Sequence, residues 1–347
     1  MGAWIDNEVA GNKTTVLPYS HAAGYEACDR TELVAGSDMR PEILVKFGER
    51  YGVSPEHHYT DYQEMILKEK PDILSIATQP QDRAAVALFA IEHGVKALYV
   101  EKPLCASMAE ADAIKAAVEK HGVVLNMGTN RRWSTGFGAM KAEIDSGKHG
   151  QLSALSINHK ATVFNTDSHW VDTLRYLNSD APALWVQAYL PDGDEAFVGD
   201  QIIADPHCEG TIAFANGVTA YLLATDGAPT HHAYCERAEM IVNSGDSRYE
   251  LWSYHPIDES GADRSMTLLD YTPSSATLRL IEDIVHALDT GEPTRGGIAA
   301  AYANVEILFG LLESHRRGGA RVALPLVDND LAFAPNVAPR QPKFAVS

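Results

Sequence analysis

The sequence predicts an α/β protein in two parts, a doubly wound parallel sheet followed by a part built on a mostly antiparallel sheet. Three observations carry this. Between Glu32 and Met127, short continuously apolar runs alternate with longer segments of helical period. After Leu152 the runs lengthen and turn signals separate them, as in Gly210 to Ala224, where Asn216-Gly217 joins two β-prone stretches. A chain of 347 residues is also long enough to bury two cores.

In the first part, the apolar runs predict strands over 33–37, 73–77, 97–100 and 123–127. The periodic segments predict helices over 41–51, 62–68, 82–93 and 107–121, with Gly52, Gly94 and Gly122 placed where helices end. Continuously apolar strands separated by helices imply a sheet covered on both faces, right-handed crossovers, and a ligand crevice at the strands' C-terminal ends. In the second part, helices are expected over 137–146, 168–177, 277–289 and 298–315. From Phe333 onward, prolines and few large apolar groups predict an arm or frayed tail. The expected division is 1–127, 128–332 and 333–347.

Composition narrows the partners. The formal net charge is −19, and Lys and Arg occur singly rather than in a basic stripe, so neither nucleic acid nor a membrane surface is expected as a partner. The opening MGAWIDNEV lacks the basic start and apolar stretch of a secretion signal, which points to the cytoplasm. Cys28, Cys105, Cys208 and Cys235 form no C-x-x-C pair. His207-Cys208 and His231-His232 with Cys235 hint at a metal cluster, but adjacent strand residues point to opposite faces, so no metal site is expected.

The strand ends carry the chemistry. Asp38 closes the first predicted strand, where a carboxylate accepts hydrogen bonds from adenosine ribose hydroxyls and favours NAD; Arg40, two residues on, suits the 2′-phosphate of NADP. Thr78-Gln79-Pro80 brings polar atoms and a fixed bend to the next end. Glu101-Lys102-Pro103 follows the run Ala97-Leu98-Tyr99-Val100, where a charge and a proline could simply stop a strand.

The order and spacing of YGVSPEHHYTDYQEMIL at 51–67, ILSIATQP at 73–80, ALYVEKPLCAS at 97–107, NMGTNRRW at 126–133, IDSGKHGQL at 144–152 and SHWVDTLRYL at 168–177 resemble the Gfo/Idh/MocA oxidoreductases across almost the whole chain. The resemblance implies a Rossmann domain, then an α/β domain with a large open sheet whose face covers nicotinamide and substrate, and a homo-oligomer formed through that sheet. It implies Lys102 as proton relay and substrate-positioning residue, Glu101 as its orienter, and a cis Lys102–Pro103 bond. It implies His169 as general base, with Asp172 one helical turn on as an orienter or structural group.

Cofactor contacts are expected from Gly2, Asp38, Arg40, Thr78, Gln79, Pro80, Glu101, Lys102 and Asn130. Substrate contacts are expected from Arg131, Trp133, Trp170, Asp172 and His232, with Arg132 a further pocket candidate. Two positions depart from the family pattern: Asn165 stands where an aspartate is common, and Asp167 where a glycine is usual, so the catalytic carboxylate is expected to have moved to Asp167 or to be replaced by the Asn165 amide. The front departs further, since G-x-G-x-x-G is absent and Met1-Gly2 match only the end of that loop. The expectation is a chain that starts late, with 3–19 as an insertion. The activity implied is NAD(P)-dependent hydride transfer at a hydroxyl carbon of a sugar, cyclitol or polyol; the alternatives are an NAD-dependent glycosidase using transient oxidation and a non-catalytic dinucleotide or sugar sensor.

Overall fold

A computed structural model describes residues 1–12, 14–243, 247–255, 264–335 and 341–344. The chain divides into two compact units, Met1–Asn130 with Ser274–Tyr302 and Val337–Ser347, and Arg131–Pro273 with Ala303–Asn336.

The first unit opens with α1 (Ile5–Val9) and α2 (His21–Ala27). Strands β1 (Gly36–Ser37), β2 (His58–Tyr59), β3 (Ile73–Ile76), β4 (Ala97–Val100) and β5 (Val124–Met127) then alternate with α3 (Pro41–Tyr51), α4 (Tyr62–Glu69), α5 (Pro80–Glu92) and α6 (Met108–His121). Local chemistry sets the helix ends. Pro41 starts α3, and Gly52 ends it at φ 71°, a left-handed turn that a side chain would strain. The Ser107 hydroxyl accepts the Glu110 N–H while the Glu110 carboxylate accepts the Ala106 N–H, so α6 begins on a reciprocal cap close to a capping box.

All strand pairs here are parallel, with Ile73 opposite Ala97 and Val100 opposite Met127. β4 is wholly buried, which is why its sequence is apolar without alternation. The sheet comes in two pieces, β1–β2 and β3–β4–β5. The strand expected over 33–37 shrinks to Gly36–Ser37, because among the described residues β1 has a ladder partner on one side only, and Val34 is 44% exposed. Residues of both pieces, Leu33 to Asp38 and Ile73 to Thr78, line one cavity of about 1410 Å³.

Helix α9 (Ala276–Thr290) belongs to this unit, which corrects a simple division near Met127. The cause is a buried amide. Asn126 on β5 is fully enclosed and must find partners; its Nδ2 donates to Leu280 O and Asp283 Oδ2, and its Oδ1 accepts from Gly296 N–H.

The second unit contains α7 (Thr135–Asp145), β6 (Leu152–Asn158), α8 (Ser168–Leu177) and β7 (Ala183–Tyr189). β8 (Phe197–Val198), β9 (Gln201–Ile202), β10 (Glu209–Phe214), β11 (Thr219–Leu223), β12 (Thr230–Cys235), β13 (Ala238–Asn243), β14 (Arg248–Tyr254) and β15 (Arg264–Leu268) follow, then most of α10 (Ile298–Arg316), β16 (Val322–Ala323) and β17 (Ala332–Phe333). Nine strands form one sheet in the order β15-β14-β13-β12-β6-β11-β10-β7-β16, antiparallel except for the β6–β11 pair. Gly217, at φ 86°, makes the β10–β11 hairpin turn. Burial alternates along β12 and β13 as one covered face requires, whereas Leu184, Tyr189, Tyr221, Leu223 and Leu268 are exposed.

The tail differs from expectation. Ala332–Phe333 pairs with Gln201–Ile202, and Phe333 stacks on Phe164 at 4.0 Å, so the chain is still part of the fold where an arm was expected to begin. Farther on, Phe344 meets Trp4 edge-on at 4.9 Å, while 336–340 and 345–347 lie outside the described residues.

Candidate functional site

In the first unit, the ends of β1, β3, β4 and β5 present the residues that the spacing singled out. Asp38 follows β1, and its carboxylate accepts from the Arg40 backbone N–H at 3.0 Å and from the Arg40 guanidinium at 2.9 and 3.0 Å. The two candidates for cofactor choice are thus one half-buried ion pair on the 1410 Å³ cavity, which Thr78 and Gln79 also line. Pro80 is placed differently: buried, it starts α5. Asn130 is buried against Thr277, its Nδ2 3.4 Å from the hydroxyl.

The β3 and β4 ends are tied together by a residue that sequence reading missed. Arg83, in the first turns of α5, donates to Thr78 O at 3.1 and 2.7 Å and also to Pro103 O. It is buried, and desolvation brings its guanidinium down to about 10 despite nearby Glu101. The Lys102–Pro103 bond is cis, as the resemblance implies.

Glu101 is 3% exposed, and its carboxylate faces His21, a second residue that no local sequence signal marks. Imidazole Nε2 lies 2.9 Å from Glu101 Oε1, Nδ1 bonds the Ser75 hydroxyl, and the ring stacks on Tyr99 with centroids 3.7 Å apart. Glu101 Oε2 accepts the backbone N–H of Lys102 at 3.2 Å. A Cβ at Gly128 would sit 3.1 Å from Oε1, so glycine there makes room for the carboxylate. Burial opposes ionisation of Glu101, yet His21, Lys102 and Arg83 outweigh it and hold the carboxyl at about 2. Burial lowers His21, against the hydrogen bond and charge of Glu101, which raise it.

The expected insertion folds on an acid. Asp6 in α1 is 6% exposed, and its carboxylate accepts the N–H groups of Tyr19 and Ser20 at 2.7 and 3.1 Å, setting the chain up for α2. Gly2 lines the cavity; a Cβ there would meet only Ala77 Cβ, at 3.5 Å.

In the second unit, His169 stands in the first turn of α8, whose start is held by the Asn304 amide on Ser168 O at 3.0 Å and by the Ser168 hydroxyl on Phe164 O at 2.7 Å. Before it, Val163–Asp167 winds as a single wide π turn that leaves Asn165 exposed and Asp167 2% exposed. Burial, then the nearby Asp205 carboxylate, pushes Asp167 well above the usual carboxylate range. Both causes disfavour the ionised form of Asp167 in the interior.

Three substrate candidates have other partners. Asp172 is fully buried and receives Arg132 Nε at 2.9 and 2.8 Å, while the other end of that guanidinium binds Asp180 at 2.7 Å. Asp172 is structural for a physical reason: a buried guanidinium needs counter-charge. Trp133 is 1% exposed, and His232 on β12 bonds Glu239 on β13 at 2.7 Å. Trp170 is 3% exposed, with the Arg131 guanidinium over its ring at 4.1 Å from the indole centroid and His231 edge-on at 4.9 Å, so this indole is packed in the interior rather than presented to a sugar. His207 bonds Asp192, and no group of three or more metal-ligating side chains occurs among the described residues.

Residues 14–129 match the family model described as "Oxidoreductase family, NAD-binding Rossmann fold". D-apiose dehydrogenase of Paraburkholderia graminis is 30% identical over 131 residues, 38% of this chain and 34% of the relative. Myo-inositol 2-dehydrogenase of Thermotoga maritima is 28% identical over 140 residues, 40% of this chain and 41% of the relative. The matches thus span about two fifths or less of these curated relatives. A solved levoglucosan dehydrogenase in complex with NADH and L-sorbose superposes with a TM-score of 0.75 at 18% identity, covering 88% of this chain and 95% of that one, a likeness of fold. No helix among the described residues is long and apolar enough to cross a membrane.

Proposed function

We propose that the chain is a Gfo/Idh/MocA oxidoreductase, an NAD(P)-dependent dehydrogenase acting on a hydroxyl carbon of a sugar, cyclitol or related polyol, a reading that the match of residues 14–129 supports. The observation that supports it most is that Asp38, Thr78 and Gln79 line one cavity at the C-terminal ends of parallel strands, with Glu101–Lys102 at the end of neighbouring β4, the region where an α/β sheet takes its ligand. The residues present fit a dinucleotide at its ribose end: a carboxylate and a guanidinium stand on a cavity of about 1410 Å³. When bound, nicotinamide supplies the hydride acceptor.

The chain's own contribution is proton handling and positioning. Lys102 directs its ammonium to the hydroxyl oxygen and relays its proton, with Glu101 as orienter; His169 acts as general base. The exposed apolar face of the nine-stranded sheet, with Leu184, Tyr189, Tyr221, Leu223 and Leu268, serves self-association, and a cytoplasmic location suits the acidic, cysteine-poor chain.

A panel of sugars, cyclitols and polyols screened for NADH and NADPH formation tests the proposal. Turnover of at least one panel member is expected. Glycoside cleavage without net reduced nucleotide would replace dehydrogenation by transient oxidation, and dinucleotide binding with no turnover of any member would leave a sensor.

A further inference from the structure

We propose that His21 is a positioning residue for Lys102, acting through the Glu101 carboxylate. The inference rests on the reading of Lys102 as the proton-relay residue. Three elements meet at the imidazole: α2 supplies it, β3 supplies the Ser75 hydroxyl on Nδ1, and β4 supplies both the Tyr99 ring beneath it and Glu101 on Nε2. An ionised carboxylate only accepts, so Nε2–H of His21 is the donor to Glu101. Ser75, His21 and Glu101 are thus linked in a row, and the second Glu101 oxygen takes the Lys102 N–H at 3.2 Å.

This arrangement gives Glu101 a single orientation. The carboxylate is buried, gripped on one oxygen by imidazole and on the other by the Lys102 backbone, and Gly128 closes in on its other side. Arg83 holds the far side of the turn at Pro103 O. Loss of the imidazole bond frees the carboxylate to rotate and removes the restraint on the first backbone atom of Lys102.

The test compares His21→Phe, which keeps a stacked ring without the bond, with His21→Gln, which keeps a donor toward Glu101. The readout is the initial rate of Lys102 acylation by an amine-reactive ester, measured by mass spectrometry against exposed Lys68 and Lys96 as internal standards, with melting temperature recorded in parallel. The Phe variant is expected to raise the relative Lys102 rate at least about threefold, and the Gln variant to leave it near wild type. On a sugar that the wild type oxidises, the Phe variant should lower kcat by about tenfold with sugar KM unchanged, and Gln should recover most of it. Unchanged labelling in a folded Phe variant overturns the proposal, as does an equal rise in both variants, which would assign the ring to packing. If the Phe variant fails to fold, Ser75→Ala, which loosens the ring from its other end, must raise Lys102 labelling or the proposal falls. A wild type that oxidises nothing in the panel would count against the dehydrogenase reading while leaving the labelling result intact.

Discussion

In the proposed mechanism Lys102 and His169 handle the proton, and each role should be separable from folding. Lys102→Ala and His169→Ala are expected to reduce kcat by about a hundredfold or more with melting temperature and NAD affinity nearly unchanged, as read by steady-state kinetics and nucleotide titration. Asp38 has a double role, since its carboxylate also engages Arg40. Asp38→Ala should release that guanidinium for a 2′-phosphate and move the NAD/NADP affinity ratio toward NADP by about tenfold or more; adding Arg40→Ala should abolish the gain, and an unchanged ratio would remove Asp38 from the cofactor site. Asp167 gives a pH signature. Its folded-state carboxyl stays protonated above the pH at which the unfolded chain ionises, so the folded state binds more protons there and stability falls as pH rises. Asp167→Asn should therefore gain melting temperature relative to wild type as pH rises above the ordinary carboxylate range, and a difference that stays constant with pH would contradict the assignment.

At the scale of elements, the clearest energetic unit is the ion cluster that joins Arg132 to α8. Asp172→Asn should cost about 3 kcal/mol, because it strips one carboxylate from a guanidinium that is almost fully buried while Asp180 remains. Denaturant melts would show this as a lower midpoint at an unchanged slope; a loss below about 1 kcal/mol would make the pair incidental. Helix positions were legible from period and caps: 41–51 and 168–177 agree to the residue with α3 and α8, and the Asn216-Gly217 turn joins the hairpin expected of it. The candidate site was legible where it lies next to a strand end, as with Asp38 and Glu101-Lys102-Pro103. His21 and Arg83 were not, because their partners stand 80 and 20 residues away and nothing local marks a buried bond. Asp172 was read from helical spacing alone, which does not reveal that Arg132 reaches it from 40 residues earlier.

At the scale of the whole molecule, a charge of −19 makes copies of this chain repel one another, while the broken parallel sheet works the other way. Among the described residues, β1 and β3 each have a ladder partner on one side only, and the side of β3 away from β4 offers the apolar run Ile73-Leu74-Ser75-Ile76 as a template for another backbone. Repulsion between exposed charges weakens as salt shortens its reach to about 8 Å at physiological strength, whereas backbone pairing persists. Solubility should therefore be a contest that salt decides. In dilute buffer the protein is expected to stay dispersed, and with added sodium chloride it should assemble into species rich in intermolecular strand, detected by light scattering together with infrared amide bands. Ile73→Lys, which sets a charge on that edge, should delay the assembly; scattering that is indifferent to salt and to this substitution would show that the edge is not sticky. The gap in the sheet that borders the 1410 Å³ cavity would then also set the conditions under which the protein stays dispersed.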